Sequence, residues 1–474
     1  MLPKPKNYAL FPSVVKVGER ANLTIVATER SFMFFEDAEY TLDIIGVNTD
    51  VLDYHCSTVN NRVTINLVAK GGYIAFEYKF DEEMEYALSL KKEGKLVQDF
   101  YLYALKEDLY KLTPLRGDFH SHSYRSDGLR DAVAHSGHYR EQGYDFVALT
   151  DHNRYFPGGE VDEVFAGVNT GFARVFGEEV HCPGSVIHIV HVGGKESVAE
   201  RYVLDKSGTY NAEIEEYEAK VPSSVPEKYK AKYARAMWAC DAIHKVGGLA
   251  IFAHPYWRLS VKCYNVCDEL SEILLKSGMF DAYELVGGMG YDGVNLSISH
   301  WAQMCAEGLK ISVVGSSDVH KIEKSADFPV HFTICFAKSN DNDSIIEAVK
   351  NGYSVAVETA DSGYNLQHRC YGDHRLVMYA HFLLKNYFPE RMRIIEGEGV
   401  AMRQFAMEDA PKELIELIAK QGQIFTDRFF GKKAPALPSK KMLEFEDKWR
   451  KVQVEKGPNS KGSAINLEVA NFQL

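Results

Sequence analysis

The chain has 474 residues, 46% of them hydrophobic and 25% charged, and a formal net charge of −12 at pH 7. That length exceeds one ordinary core and predicts two or three globular domains, while the acidic balance argues against tight binding of duplex nucleic acid, which needs a basic surface. No apolar run approaches the roughly 18 residues that span a bilayer, and the start MLPKPKNYALFP lacks an apolar signal segment, so the expectation is a cytoplasmic protein with no membrane partner.

Residues 1–112 read as an all-β sandwich. Short β-branched and aromatic runs (ANLTIVAT, YTLDIIGV, RVTINLVA, YIAFEYKF, EYALSL and QDFYLYAL) are separated by Gly, Asn, Asp and Lys clusters. No residues there cluster as a catalytic site would. Eight cysteines are scattered along the chain without a CxxC pair and read as reduced thiols.

From 113 to 360 strand-like runs alternate with helical ones, which implies a mostly parallel sheet or barrel. Polar residues stand where the strand runs end, the face on which a βα-barrel builds function. RGDFHSHSYRSDG places His120 and His122 two apart, so both imidazoles point to one side of a strand, with Asp127 in the following turn. FVALTDHN ends in His152, RVFGEEV in Glu178 and Glu179, and GGLAIFAHP in His254. VVGSSDVH ends in Asp318 and His320, and VIHIVHVGG offers His188 or His191, a choice the sequence leaves open. A single buried histidine is usually a hydrogen-bonded core residue. Five or six apolar runs that each end in His, Asp or Glu are different, because buried charge is costly unless it is paired or bound to metal.

From 361 to 474 the chain reads as a mainly helical extension: HRLVMYAHFLLKNYF and APKELIELIAKQG carry helical patterns, and the basic, polar run 432–462 reads as a solvated face or tail. Gly288, Gly290 and Gly293 match GxGxxG, but the second-strand acid expected of a dinucleotide site is missing, so this reads as a loop beside the site. His135, His138 and His244 fall on helical runs and read as surface or packing residues.

Taken in order, HxH with SDG, TDHN, GxE, the His strand, AHP and GSDxH resemble the polymerase and histidinol phosphatase (PHP) superfamily over residues 113–360, and the upstream β domain makes the chain most similar to its carbaryl-hydrolase-like branch. The resemblance implies an α/β fold, a distorted (β/α)7 PHP barrel, with two or three divalent metal ions (Zn, Mn or Fe). It implies one site of His120, His122, Glu179 and Asp318, a second sharing Glu179 and adding His188 and His254, and a third of Asp127, His152 and His320. Such ions activate water as hydroxide and stabilise an in-line displacement. The expected function is therefore a phosphoesterase acting on a small anionic ester. Arg258 is the first choice to hold the phosphate, with Arg125 and Arg154 as alternatives. Glu284 is a catalytic or supporting carboxylate. The alternatives are a carboxylic or carbamate ester hydrolase on the same metals, with Tyr155, Tyr256 and Trp257 lining an apolar pocket, and a non-catalytic metal-stabilised binding module; homo-oligomerisation is left open.

Overall fold

The structure, a computed structural model, describes residues 6–50, 62–361 and 366–456. Cys56 and the 457–462 part of the basic run lie outside them; the seven described cysteines are all free thiols. The chain divides into two compact units, Leu112–Gly422 on the one hand and Leu2–Lys111 with Gln423–Leu474 on the other.

In the smaller unit, β1 (Tyr8–Phe11), β3 (Arg20–Ala27) and β6 (Tyr73–Lys79) form one sheet. A second sheet joins β2 (Val14–Lys16), β8 (Lys95–Leu105), β7 (Met84–Lys92), β4 (Glu39–Gly46) and β5 (Val63–Val68) in that order. Burial alternates along β7, as a strand with one face on a core requires. Leu23, Ile25 and Ile74 of the first sheet and Leu42, Leu88 and Leu102 of the second belong to one buried cluster. Part of the run read as a solvated face or tail is the helix Lys440–Lys456, which is largely exposed. Its polarity is absorbed by ion pairs one turn apart, Arg450 with Glu446 at 3.4 Å and Lys451 with Asp447 at 2.7 Å, and Arg450 also donates to the Met33 carbonyl at 3.0 Å.

The larger unit is built on a ten-stranded sheet. Its strands are β9 (Thr113–Asp118), β10 (Phe146–Leu149), β11 (Ala173–Val180), β12 (Ile189–Gly193), β13 (Gly248–Phe252), β14 (Ala282–Val286), β15 (Ser312–Gly315), β16 (His331–Ala337), β17 (Ser354–Asp361) and β18 (Leu366–Tyr371). They run side by side from β15 back through β9, then on to β16, β17 and β18. The sheet curls until β15 returns to β16: Thr333 Oγ1 donates to the Gly315 carbonyl at 2.8 Å and accepts from the Gly315 N–H at 2.9 Å. β10, β13 and β14 are buried along their whole length, as strands covered on both faces are. The helix Ala132–Glu141 is capped by Asp131, whose side chain accepts from the Val133 and Ala134 N–H groups.

The sheet departs from the mostly parallel pattern that alternating elements imply. β9, β10 and β11 are mutually parallel, as are β13, β14 and β15, but β12 is antiparallel to both neighbours and β16 is antiparallel to β9. Only residues 181–188 separate β11 from β12, too few for a parallel crossover, which needs a dozen or more. Among the described residues no helix is long and apolar enough to cross a membrane.

Candidate metal centre

The carboxyl ends of the central strands are continued by short parallel bridges, Ser121 to Val319 and His152 to Glu179. These bridges bring the polar tails of β9, β10, β11 and β15 together. The backbone bends sharply there: Asn153, His254 and Asp318 all have positive φ, of 54°, 25° and 51°. That is a costly conformation for residues with a Cβ, and such strain gathers at functional sites.

Glu179 is the centre of the cluster. Its carboxylate is buried, and each oxygen faces three imidazoles. Oε1 lies 2.8 Å from His188 Nδ1, 3.1 Å from His181 Nε2 and 3.2 Å from His254 Nε2. Oε2 lies 2.7 Å from His152 Nδ1, 3.4 Å from His120 Nε2 and 3.6 Å from His122 Nε2. Asp318 Oδ1 sits 3.0 Å from His122 Nε2 and 3.3 Å from His120 Nε2. Half-exposed Asp127 stands at the outer side, its Oδ2 3.3 Å from His320 Nε2 and 3.4 Å from His152 Nε2. All nine side chains assigned to metal from the sequence therefore meet in one cluster.

Groups behind the cluster hold it in place. Glu284, fully buried, accepts from His120 Nδ1 at 2.8 Å, which leaves Nε2 facing the cluster. His320 Nδ1 donates to the Asp318 carbonyl at 3.0 Å and so aims its Nε2 at Asp127. Asp118 accepts from the N–H groups of both His120 and Ser317 and from the Tyr139 hydroxyl, tying the ends of β9 and β15 together. Asp151 accepts from the N–H and hydroxyl of both Ser123 and Ser126, which shapes the turn that presents Asp127. Gly288, at a φ of 65°, would bring a Cβ to 3.1 Å from both Asp318 and Glu284, but the GxGxxG segment read as a loop is one only as far as Met289, because Gly290 opens the helix Gly290–Ala306.

The register of β11 with β12 separates the two histidines left open. Glu178 is paired with His191 and Glu179 with Val190. Glu178 and His191 thus share one face, where His191 Nδ1 meets Glu178 Oε1 at 3.1 Å, and Glu178 also accepts from Ser197 and the Val198 N–H. His188, just before β12, lies on the opposite face with Glu179. Because β12 runs backwards, its contribution to the site comes from its start. His181 reaches the same cluster and was not assigned from the sequence. Its signal was the two-residue spacing Glu179–Val180–His181, which puts both side chains on one face of the strand end.

Glu284 and Trp257 adjoin this cluster, and three further sequence-assigned side chains have partners of their own. Arg258 is exposed with its guanidinium over the Tyr264 ring at 5.6 Å, and Arg125 is engaged with Glu160 at 2.9 Å. Trp257 is 40% exposed and its ring centre lies 5.9 Å from those of both His188 and His254, so it flanks the mouth. Tyr155 stacks on His191.

The residues fit a set of cations. His120 Nε2, His122 Nδ1, His152 Nδ1, His181 Nε2, His188 Nδ1 and Glu179 Oε2 are buried and make no hydrogen bond of proper geometry, a combination that is costly without a further partner. Donor atoms close enough to share an ion form four groups: His122, Asp127, His152 and His320; His120, His122 and Asp318; His120, Glu179 and His254; and His152, Glu179 and His181. Mixed imidazole and carboxylate donors suit Zn²⁺, Mn²⁺ or Fe²⁺. The electrostatics agree. Burial opposes charge on Glu179, yet the imidazoles, His120 first among them, hold it well below the usual carboxylate range. Burial likewise opposes charge on His152, but Asp127 and Glu179 push it up to about 10. For His122 and His188 burial wins and pulls each down to about 4. Positive charge is thus drawn into the cluster by its carboxylates.

No family model matches the sequence, and no curated protein matches it. Among solved structures, the chain is similar to a two-domain protein from Bacteroides vulgatus that contains a predicted PHP-like metal-dependent phosphoesterase, at 19% identity and a TM-score of 0.35 over 55% of this chain and 76% of that one. It is also similar to an amidohydrolase from Chromobacterium violaceum, at 17% identity and a TM-score of 0.30 over 44% of this chain and 89% of that one.

Proposed function

We propose that the chain is a metal-dependent hydrolase of the PHP superfamily that cleaves phosphoesters. The observation that carries this reading is the Glu179 carboxylate, buried and flanked on each oxygen by three imidazoles. The ends of seven strands, β9 to β15, supply this cluster and the Glu284 that braces it, which supports reading the curled sheet as a distorted (β/α)7 barrel.

Divalent cations bound among these donors supply acidified water and positive charge against the developing charge of the ester. The chain's own groups prepare the site for them. Glu284 fixes the His120 ring so that Nε2 is the coordinating nitrogen. Asp118 and Asp151 hold the backbone of both outer turns. Asp127 and His320, the more exposed pair, stand on the side that solvent and substrate reach. Arg258, four residues beyond His254 and exposed, is the group proposed to meet the substrate phosphate. The test is phosphate release from aryl mono- and diesters, assayed with and without added Mn²⁺ or Zn²⁺. Turnover should depend on metal and fall about 100-fold or more in His120→Ala; absence of metal-dependent turnover on every ester would overturn the reading.

Hydrolysis of carboxylic or carbamate esters is the second reading, favoured by the exposed Trp257 ring beside His188 and His254. A substrate with an aryl leaving group would stack there. Comparing turnover of aryl phosphate with aryl ester separates the two.

A further inference from the structure

His181 stands outside the nine residues assigned from the sequence, yet its ring is packed into the cluster. We propose that His181, His152 and Glu179 form a further divalent-cation position, weaker and more exchangeable than the others; this rests on the metal-centre reading above. The donor atoms are His181 Nε2, 3.1 Å from Glu179 Oε1, and His152 Nδ1, 2.7 Å from Glu179 Oε2. All the donor atoms of this group lie within 4.8 Å of one another. Both nitrogens and Glu179 Oε2 are buried without a well-formed hydrogen bond, so no protein atom outside the group holds them and they are open to a cation.

The surrounding structure fixes His181 in this position. Its ring stacks on His188 with centres 3.8 Å apart and planes 23° apart. That follows from the β11–β12 register, because Val180 pairs with Ile189 and the next step sets residue 181 across from 188. Its backbone N–H donates to Asn153 Oδ1 at 2.9 Å, and the Tyr202 hydroxyl donates to the same oxygen at 2.5 Å. His181 and His152 are each 28% exposed, whereas His120 and His122 are fully buried, so this position lies on the side open to solvent.

The weakness follows from His152. Its Nε2 faces Asp127 at 3.4 Å while its Nδ1 faces Glu179. A neutral imidazole has one lone pair to give, so the Asp127 group and the His181 group compete for the same ring. Two imidazoles and one carboxylate suit Mn²⁺ or Zn²⁺, and the remaining coordination positions stay open to water or substrate oxygens.

The test is equilibrium dialysis of the metal-stripped full chain against Mn²⁺, comparing wild type with His181→Ala and His181→Phe. The phenylalanine keeps a ring against His188 but offers no ligand nitrogen, so it serves if the alanine variant does not fold. The weakest binding step should weaken by about tenfold or more in both variants, with the tighter steps unchanged. Spin-echo spectra of the fully loaded Phe variant should show fewer ¹⁴N couplings to Mn²⁺ than wild type. An unchanged weakest step with unchanged couplings overturns the proposal and leaves the metal centre standing; a wild-type chain that takes up no Mn²⁺ overturns both.

Discussion

His120 Nδ1 donates to Glu284 Oε2 across 2.8 Å, and both side chains are completely buried. One carboxylate on β14 thereby sets the tautomer and angle of an imidazole at the end of β9. Carboxylates that brace a ligand histidine in this way raise its basicity and are worth about 10–100-fold in metal affinity. Glu284→Ala is expected to weaken binding of Zn²⁺ or Mn²⁺ by that factor in a chelator-competition titration, with Glu284→Gln losing less because the amide oxygen still accepts the hydrogen bond.

His188 and His191 occupy opposite faces of one hairpin and should respond differently. His188→Ala removes a group 2.8 Å from Glu179 Oε1 and should lower the metal content of the purified chain. His191→Ala removes one buried partner of Glu178, which keeps Ser197 and the Val198 N–H, and a hydrogen bond to a charged group is worth about 1.5–3 kcal/mol. It should lower the denaturant midpoint while metal content stays at the wild-type level. Equal loss of metal from both variants would contradict the register argument.

Metal loading should release protons. In the metal-free chain burial disfavours charge on His152, but Asp127 and Glu179 outweigh it and push it up to about 10; His120 is also raised well above its ordinary value against its burial, by Asp318 foremost. His152 is therefore protonated at neutral pH, and a metal ligand must be deprotonated. Calorimetric titration with Zn²⁺ in two buffers of different ionisation enthalpy should report net proton release at pH 7, and affinity should fall as pH is lowered. Proton uptake, or no buffer dependence, would contradict the charge state described here.

Away from the metals, Arg140 donates through Nε and Nη2 to Glu398 Oε2 at 2.9 and 2.7 Å, with both side chains buried. Removing one partner of a buried ion pair costs about 3–5 kcal/mol when the other is left uncompensated, and less here because Arg140 keeps buried Asp145 Oδ1 at 3.3 Å. Glu398→Ala should destabilise the chain by no more than that in urea unfolding, and Arg140→Met with Glu398→Leu should lose less than Glu398→Ala alone.

The cluster was legible in the sequence because its members end apolar runs, where buried charge needs a reason. Glu179, His254 and Asp318 are each preceded by strand residues that pack inward, so their polarity stood out. The reversal of β12 was not legible. Its residues, IVHVG, are apolar enough to suit a parallel or an antiparallel strand, and the short connection after Val180 decides between them. That reversal also hid the choice between His188 and His191. His181 was passed over because Glu179 already accounted for the strand end, although the two-residue spacing was visible. The Lys440–Lys456 helix lies in the stretch that reads as mainly helical, but its bounds were not legible because its stabilising contacts are ion pairs between charged side chains, which give no apolar period strong enough to read.

The central claim is that these imidazoles and carboxylates hold several cations at once. Elemental analysis of the natively purified chain, set beside Glu179→Gln, tests it most directly. The wild type should carry two or more divalent ions per chain, and the variant, which weakens the one carboxylate facing six imidazoles, should lose at least one of them. A wild-type chain that is metal-free, and stays so after dialysis against Zn²⁺, Mn²⁺ and Fe²⁺, would contradict it.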